Sequence, residues 1–80
     1  MRLPRNLSAE DLVQALKPLG YRVTRQTGSH LRLTTTQQGE HHITIPNHNP
    51  LRVGTLSGIP ADIAEHFLIT REECLDKLFE

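Results

Sequence analysis

The apolar residues of this chain first recur at helical spacing, then alternate, then return to helical spacing. Leu12, Val13, Leu16 and Leu19 recur at helical spacing and predict a first helix. Ser8 is placed to accept from the free N–H groups of its first turn, and Glu10 and Asp11 favour the positive end of its dipole. Pro18 and Gly20 predict its end. From Tyr21 to Gln26 the period falls to two. Tyr21, Val23 and Arg25 share one side of a half-buried strand; Arg22, Thr24 and Gln26 share the other. Thr27-Gly28-Ser29 signals a turn. A second strand over 30–35 sets Leu31 and Leu33 against His30, Arg32 and Thr34. Gln37-Gln38-Gly39 makes a hairpin loop, and a third strand over 41–46 sets Ile43 and Ile45 against His42 and Thr44.

After a loop held by Pro46 and Pro50, Thr55 is placed to cap a helix whose stripe is Leu56, Ile59, Ile63 and Phe67. Gly58 and Pro60 interrupt that stripe and predict a kink or a split. Thr70 and Glu73 form a T-x-x-E capping box, opening a last helix that buries Cys74, Leu75, Leu78 and Phe79. The order is α-β-β-β-α-α. Three short strands on tight loops predict an antiparallel meander. Its apolar face must be covered by the helices, because nothing else can cover it. The opposite face is then open and polar, and carries His30.

Length and charge narrow the possibilities. Eighty residues support one domain, residues 1–80, too small to enclose a large cofactor and keep a core, so a site should lie on its surface. No apolar run suits a signal peptide or a membrane span, and one cysteine gives no internal disulfide, so a cytoplasmic protein is expected. The zero net charge hides a gradient. Residues 12–61 hold Lys17, Arg22, Arg25, Arg32 and Arg52 against Glu40 alone. Residues 62–80 hold two basic side chains against six acidic ones. The middle of the chain can therefore attract a polyanion.

Five histidines raise the question of a metal. His41 and His42 are strand neighbours that point to opposite faces, and neither a cysteine pair nor H-E-x-x-H is present, so no metal or other cofactor is expected. His66, on an acidic helix, reads as a surface residue, and Cys74 as a core residue. What remains is His30 on a basic face. That suits RNA cleavage without a metal: a base takes the proton of the 2′-hydroxyl as it attacks phosphorus, and an acid protonates the leaving oxygen. Arg32, two residues along, and Arg22, on the neighbouring strand, share the face and can hold phosphate. Keeping the four apolar strand residues together sets Thr34 opposite His42 and His30 near Pro46. His48 then lies just past His30 and is the candidate second acid or base, ahead of His42.

The run G-Y-R-V-T-R-Q-T-G-S-H, then I-P-N-H, then G-T-L resembles the HicA toxins of bacterial type II toxin–antitoxin systems, over roughly residues 8–59. The resemblance implies a double-stranded-RNA-binding-domain-like α+β fold and an mRNA-cleaving ribonuclease that uses no metal. It implies that His30, the histidine of G-S-H, is catalytic. Gly28 and Ser29 would belong to the RNA-binding turn, and His48 matches the histidine after I-P. It also implies a HicB-like antitoxin that covers the active face. The chain departs from the family in its neutral charge, in Leu31 after G-S-H, and in its acidic C-terminal part. Two other readings fit the same fold: a non-catalytic RNA-binding module, and a protein-interaction domain using the open face or a sheet edge.

Overall fold

The computed structural model describes residues 6–79; Met1–Arg5 and Glu80 lie outside this range, and the Val53 side chain is not described. Helix α1 (Ala9–Leu16) opens on a full capping box. The Ser8 hydroxyl accepts from the Asp11 N–H at 3.1 Å, and the Asp11 carboxylate accepts from the Ser8 N–H at 3.1 Å. A short 3₁₀ turn (Lys17–Leu19) with Pro18 near its start closes the segment. Gly20 at φ +81° then turns the chain into the sheet.

Strands β1 (Arg22–Thr27), β2 (His30–Thr35) and β3 (His41–Pro46) form an antiparallel meander in the order β1-β2-β3. The β2–β3 ladder runs from His30 opposite Pro46, through Leu31 opposite Ile45 and Leu33 opposite Ile43, to Thr34 opposite His42. This is the register that the four apolar residues demand, and all four are buried. Strand β1 departs from expectation. All six of its residues are exposed, and even Val23 is 43% exposed. β1 is an edge strand, and Val23 is its one apolar side chain.

The alternation of β1 also breaks. Arg22 pairs with Thr34 and Val23 with Leu33, but the next pair is Arg25 with Arg32, followed by Gln26 with Leu31 and Thr27 with His30. Thr24 is the extra residue of a β-bulge. Beyond it the faces exchange. Arg25, expected on the side of Val23, stands instead on the open face with Arg32. Gln26 moves to the side of Leu31.

Helices α2 (Val53–Phe67) and α3 (Arg71–Phe79) pack with α1 over the apolar face. Leu12, Leu16, Tyr21, Leu33, Ile45, Ile63 and Cys74 are among the core residues. Helix α2 corrects one expectation and narrows another. It begins two residues before Thr55, with Arg52 as its N-cap and no side-chain cap bond. Of the kink or split expected at Gly58 and Pro60, the split does not occur, because one helix runs through both. Pro60 leaves only the Leu56 carbonyl without its helical donor. Its ring is buried, as are Leu56, Ile59 and Ile63, so packing holds the two halves in one helix. Helix α3 follows the expected capping box: the Thr70 hydroxyl accepts from the Glu73 N–H at 3.0 Å and Glu73 Oε1 accepts from the Thr70 N–H at 3.1 Å.

Candidate nucleic-acid interface

The open face is best described as three rows across the sheet. The first is Thr27, His30 and Pro46; the second is Arg25, Arg32 and Thr44; the third is Arg22 with the bulged Thr24, then Thr34 and His42. Successive rows lie two residues apart, about 6.7 Å.

His30 heads β2 directly after the two-residue turn Gly28-Ser29. Gly28 has φ +51°, the left-handed conformation that a tight hairpin needs at its first turn position and that glycine adopts without strain. No atom lies within 4 Å of where a Gly28 Cβ would be, so the turn is open on that side. The His30 ring is exposed, and its Nδ1 is 3.5 Å from the Ser29 hydroxyl. The backbone joins this turn to the loop after β3: the Asn47 N–H donates to the Ser29 carbonyl. His48, one residue on, donates its N–H to Pro46 at 2.9 Å and accepts at its carbonyl from Ala9 at 3.1 Å. The loop that presents His48 is thus pinned to the His30 turn on one side and to α1 on the other.

Arg32 stands one row from His30, as expected. Arg22 shares the face but stands two rows away, about 13 Å along the sheet. Arg25 is the residue that strict alternation misplaces, and it is nearer to His30 than Arg22 is. Its one sequence signal is that β1 loses all apolar constraint after Val23. Among the described residues, Arg22, Arg25 and Arg32 make no ion pair.

In the third row the hydroxyls and a ring form a chain. Thr24 Oγ1 lies 2.9 Å from Thr34 Oγ1, which lies 2.8 Å from His42 Nδ1; His42 Nε2 is 3.2 Å from Glu40 Oε1. Both ring nitrogens of His42 are engaged, and the ring is two rows from His30. One phosphodiester cannot meet both histidines.

His41 and His66 belong to the other side of the sheet. Their rings stack at 4.4 Å with 12° between planes, and His66 Nε2 donates to the Gln37 carbonyl at 2.9 Å. His66 is therefore a half-buried contact between α2 and the β2–β3 loop, not the lone surface residue its acidic helix suggests. The period of α2 alone cannot show this, because the partner ring comes from another element.

This arrangement defines a class: a small α+β protein whose helices cover one face of a three-stranded sheet, leaving on the other an exposed histidine and arginines that make no ion pair among the described residues. The family model for HicA, the toxin of bacterial toxin–antitoxin systems, matches residues 9–65, from the first residue of α1 to near the end of α2. The chain belongs to the HicA toxin family. Its partner is therefore an antitoxin. No curated protein and no solved structure matches the chain. The acidic helix α3 lies beyond the matched residues.

Proposed function

We propose that the protein is an mRNA-cleaving toxin in which His30 is the catalytic residue, working in the cytoplasm and held in check by a HicB-like antitoxin. The observation that carries this reading is the exposed His30 ring on a face where, among the described residues, no helix packs and the arginines make no ion pair. The 2′-oxygen of the substrate bonds to the adjacent phosphorus as its proton passes to a base. The bond from phosphorus to the 5′-oxygen breaks, and that oxygen takes a proton from an acid, leaving a 2′,3′-cyclic phosphate. His30 supplies one of these two functions, and His48 is the candidate for the other. Gly28 and Ser29 let backbone approach the phosphate, and Arg32, one row from His30, offers a fork of donors to the RNA backbone. Arg22, two rows away, would meet RNA beyond the cleavage point. No step needs a metal or a cofactor.

Inducing the wild type and His30→Ala side by side, and following growth and mRNA, tests the reading. The wild type should arrest growth and fragment mRNA, and His30→Ala should do neither while staying folded. Undiminished cleavage by His30→Ala would reject the assignment. Binding that survives the substitution, with no cleavage by the wild type at high concentration, would instead mark a non-catalytic RNA-binding module.

A further inference from the structure

The bulge at Thr24 has one consequence for the open face: it turns Arg25 from the helix side of β1 to a place directly across from Arg32. Like charges directly opposite each other destabilise a strand pair. Nothing among the described residues offsets this one. Glu40 is the one acidic side chain between residues 12 and 61, and its carboxylate is held by His42 at 3.2 Å. Protection of a sheet edge does not account for the pair either. A charge on β1 suffices to guard that edge, whereas Arg32 lies on the central strand. The bulge is also tied down. The Thr24 hydroxyl donates to the Arg32 carbonyl at 3.4 Å and meets the Thr34 hydroxyl at 2.9 Å.

We infer that Arg25 and Arg32 together form a subsite for a second RNA phosphate, the one next to the bond that is cut. This rests on the reading that His30 marks the cleavage point. The pair stands one row, about 6.7 Å, from His30, a step comparable to that between successive phosphates of an extended strand. Two guanidinium forks on adjacent strands can both reach one phosphate, and an anion between them would offset their mutual repulsion. The RNA strand therefore follows β2, with the scissile phosphate at His30 and its neighbour over the arginine pair.

The test uses a short 2′-O-methyl oligonucleotide with a single ribose, so that only one bond can be cut, and a neutral methylphosphonate placed on either side of that bond. With the wild type, neutralising the neighbour on one side should lower kcat/KM about tenfold, the value of one charge-assisted contact. With Arg25→Ala, kcat/KM on the unmodified oligonucleotide should already be lower by a similar factor, and the methylphosphonate should cost little more. Full additivity of the two changes, or no effect of Arg25→Ala on the unmodified strand, would overturn the subsite while leaving the His30 reading intact. If the wild type cuts nothing, that reading fails, and binding of the same strands with the ribose replaced by deoxyribose decides the subsite alone. There, Arg25→Ala should flatten the slope of log affinity against log salt by about 0.7. An unchanged slope would overturn the proposal. So would an Arg25→Ala protein that binds RNA normally and has lost only its antitoxin, which would make the pair a carboxylate-binding contact.

Discussion

The hydroxyl of Tyr21 meets Nδ1 of His41 at 2.6 Å beneath α2. Tyr21 is 1% exposed, and its ring stands edge-on to those of His41 and Phe67 at 6.0 and 6.3 Å. His41 Nε2 in turn faces Asp62 Oδ1 at 3.5 Å. The consistent set of donors has the phenol donating to Nδ1 and Nε2–H donating to Asp62. A polar seam thereby fastens the start of β3 to α2, on the side of the sheet away from the candidate interface.

Alkaline titration should read this seam directly. Burial first, then the charges of Asp62 and Cys74, push the Tyr21 phenol well above its ordinary range. A pKa raised in the folded state favours the protonated form. The stability it contributes is fully present below the unfolded value near 10 and is lost as pH rises through the folded one. Tyr21 is the sole tyrosine, and there is no tryptophan, so phenolate absorbance reports this one ring. Phenolate should appear above pH ~10 and together with the loss of helical circular dichroism. Phenolate formation at the ordinary value with the fold intact would contradict the buried seam.

Two glycines at positive φ should respond differently to alanine. A Cβ on Gly20 would lie 2.7 Å from Thr35 Oγ1 and 2.8 Å from Gln37 Nε2. The Gln37 side chain can move, but Thr35 is buried and donates to the Leu19 carbonyl at 2.7 Å. Left-handed strain and overpacking together should make Gly20→Ala cost about 3 kcal/mol in urea unfolding. Gly28→Ala meets no atom within 4 Å and should cost about 1 kcal/mol, from strain alone. A loss of RNA affinity by the folded Gly28→Ala protein would then report on close approach of backbone to phosphate. Equal destabilisation at both positions would contradict the difference in packing.

Much of this fold could be read from particular residues. The alternation of Leu31, Leu33, Ile43 and Ile45 defines β2, β3 and their register, because a one-residue slip would turn the apolar pair of one strand to solvent. Ser8 and Thr70 marked two helix starts because their partners stand three residues on. The bulge in β1 was not legible. No apolar side chain after Val23 obliges the strand to keep its phase, so the polar run R-Q-T could turn over at no hydrophobic cost. The sequence does not decide between a kink and a split at Pro60, because the local penalty is visible in sequence and the packing that keeps α2 one helix is not. Alternation places His30, and the same register brings the His48 loop beside its turn; the Asn47–Ser29 backbone bond that pins the two together is not legible, because no side chain encodes it.

Leu68 offers a stabilising change away from the interface. It ends α2 at φ +57°, donating its N–H to the Ala64 and Glu65 carbonyls, and its side chain is 89% exposed. A leucine gains little there and bears the left-handed strain that glycine avoids. The relief exceeds the extra chain entropy of glycine, so Leu68→Gly should raise stability by about 0.5–1 kcal/mol in urea unfolding. A loss of stability would show that the exposed side chain packs in solution.

The three histidines of the open side separate by position and by what holds their backbone. Removing the His48 side chain should leave its loop in place, because the bonds from Asn47 to Ser29 and from Ala9 to His48 are made by backbone atoms alone. Any lost cleavage in His48→Ala is therefore chemistry and not misfolding. A second acid or base contributes on the order of 10²–10⁴ in rate, so cleavage by His48→Ala should fall by that factor while its thermal midpoint stays close to that of the wild type. His42 is two rows from His30 with both ring nitrogens engaged. His42→Ala should lose the Thr34 and Glu40 contacts, and cleavage should fall by less than about tenfold, since the proposed mechanism routes no proton transfer through it. If His42→Ala abolished cleavage and His48→Ala did not, the second proton would travel through the third row, and the RNA would have to cross the sheet instead of following β2.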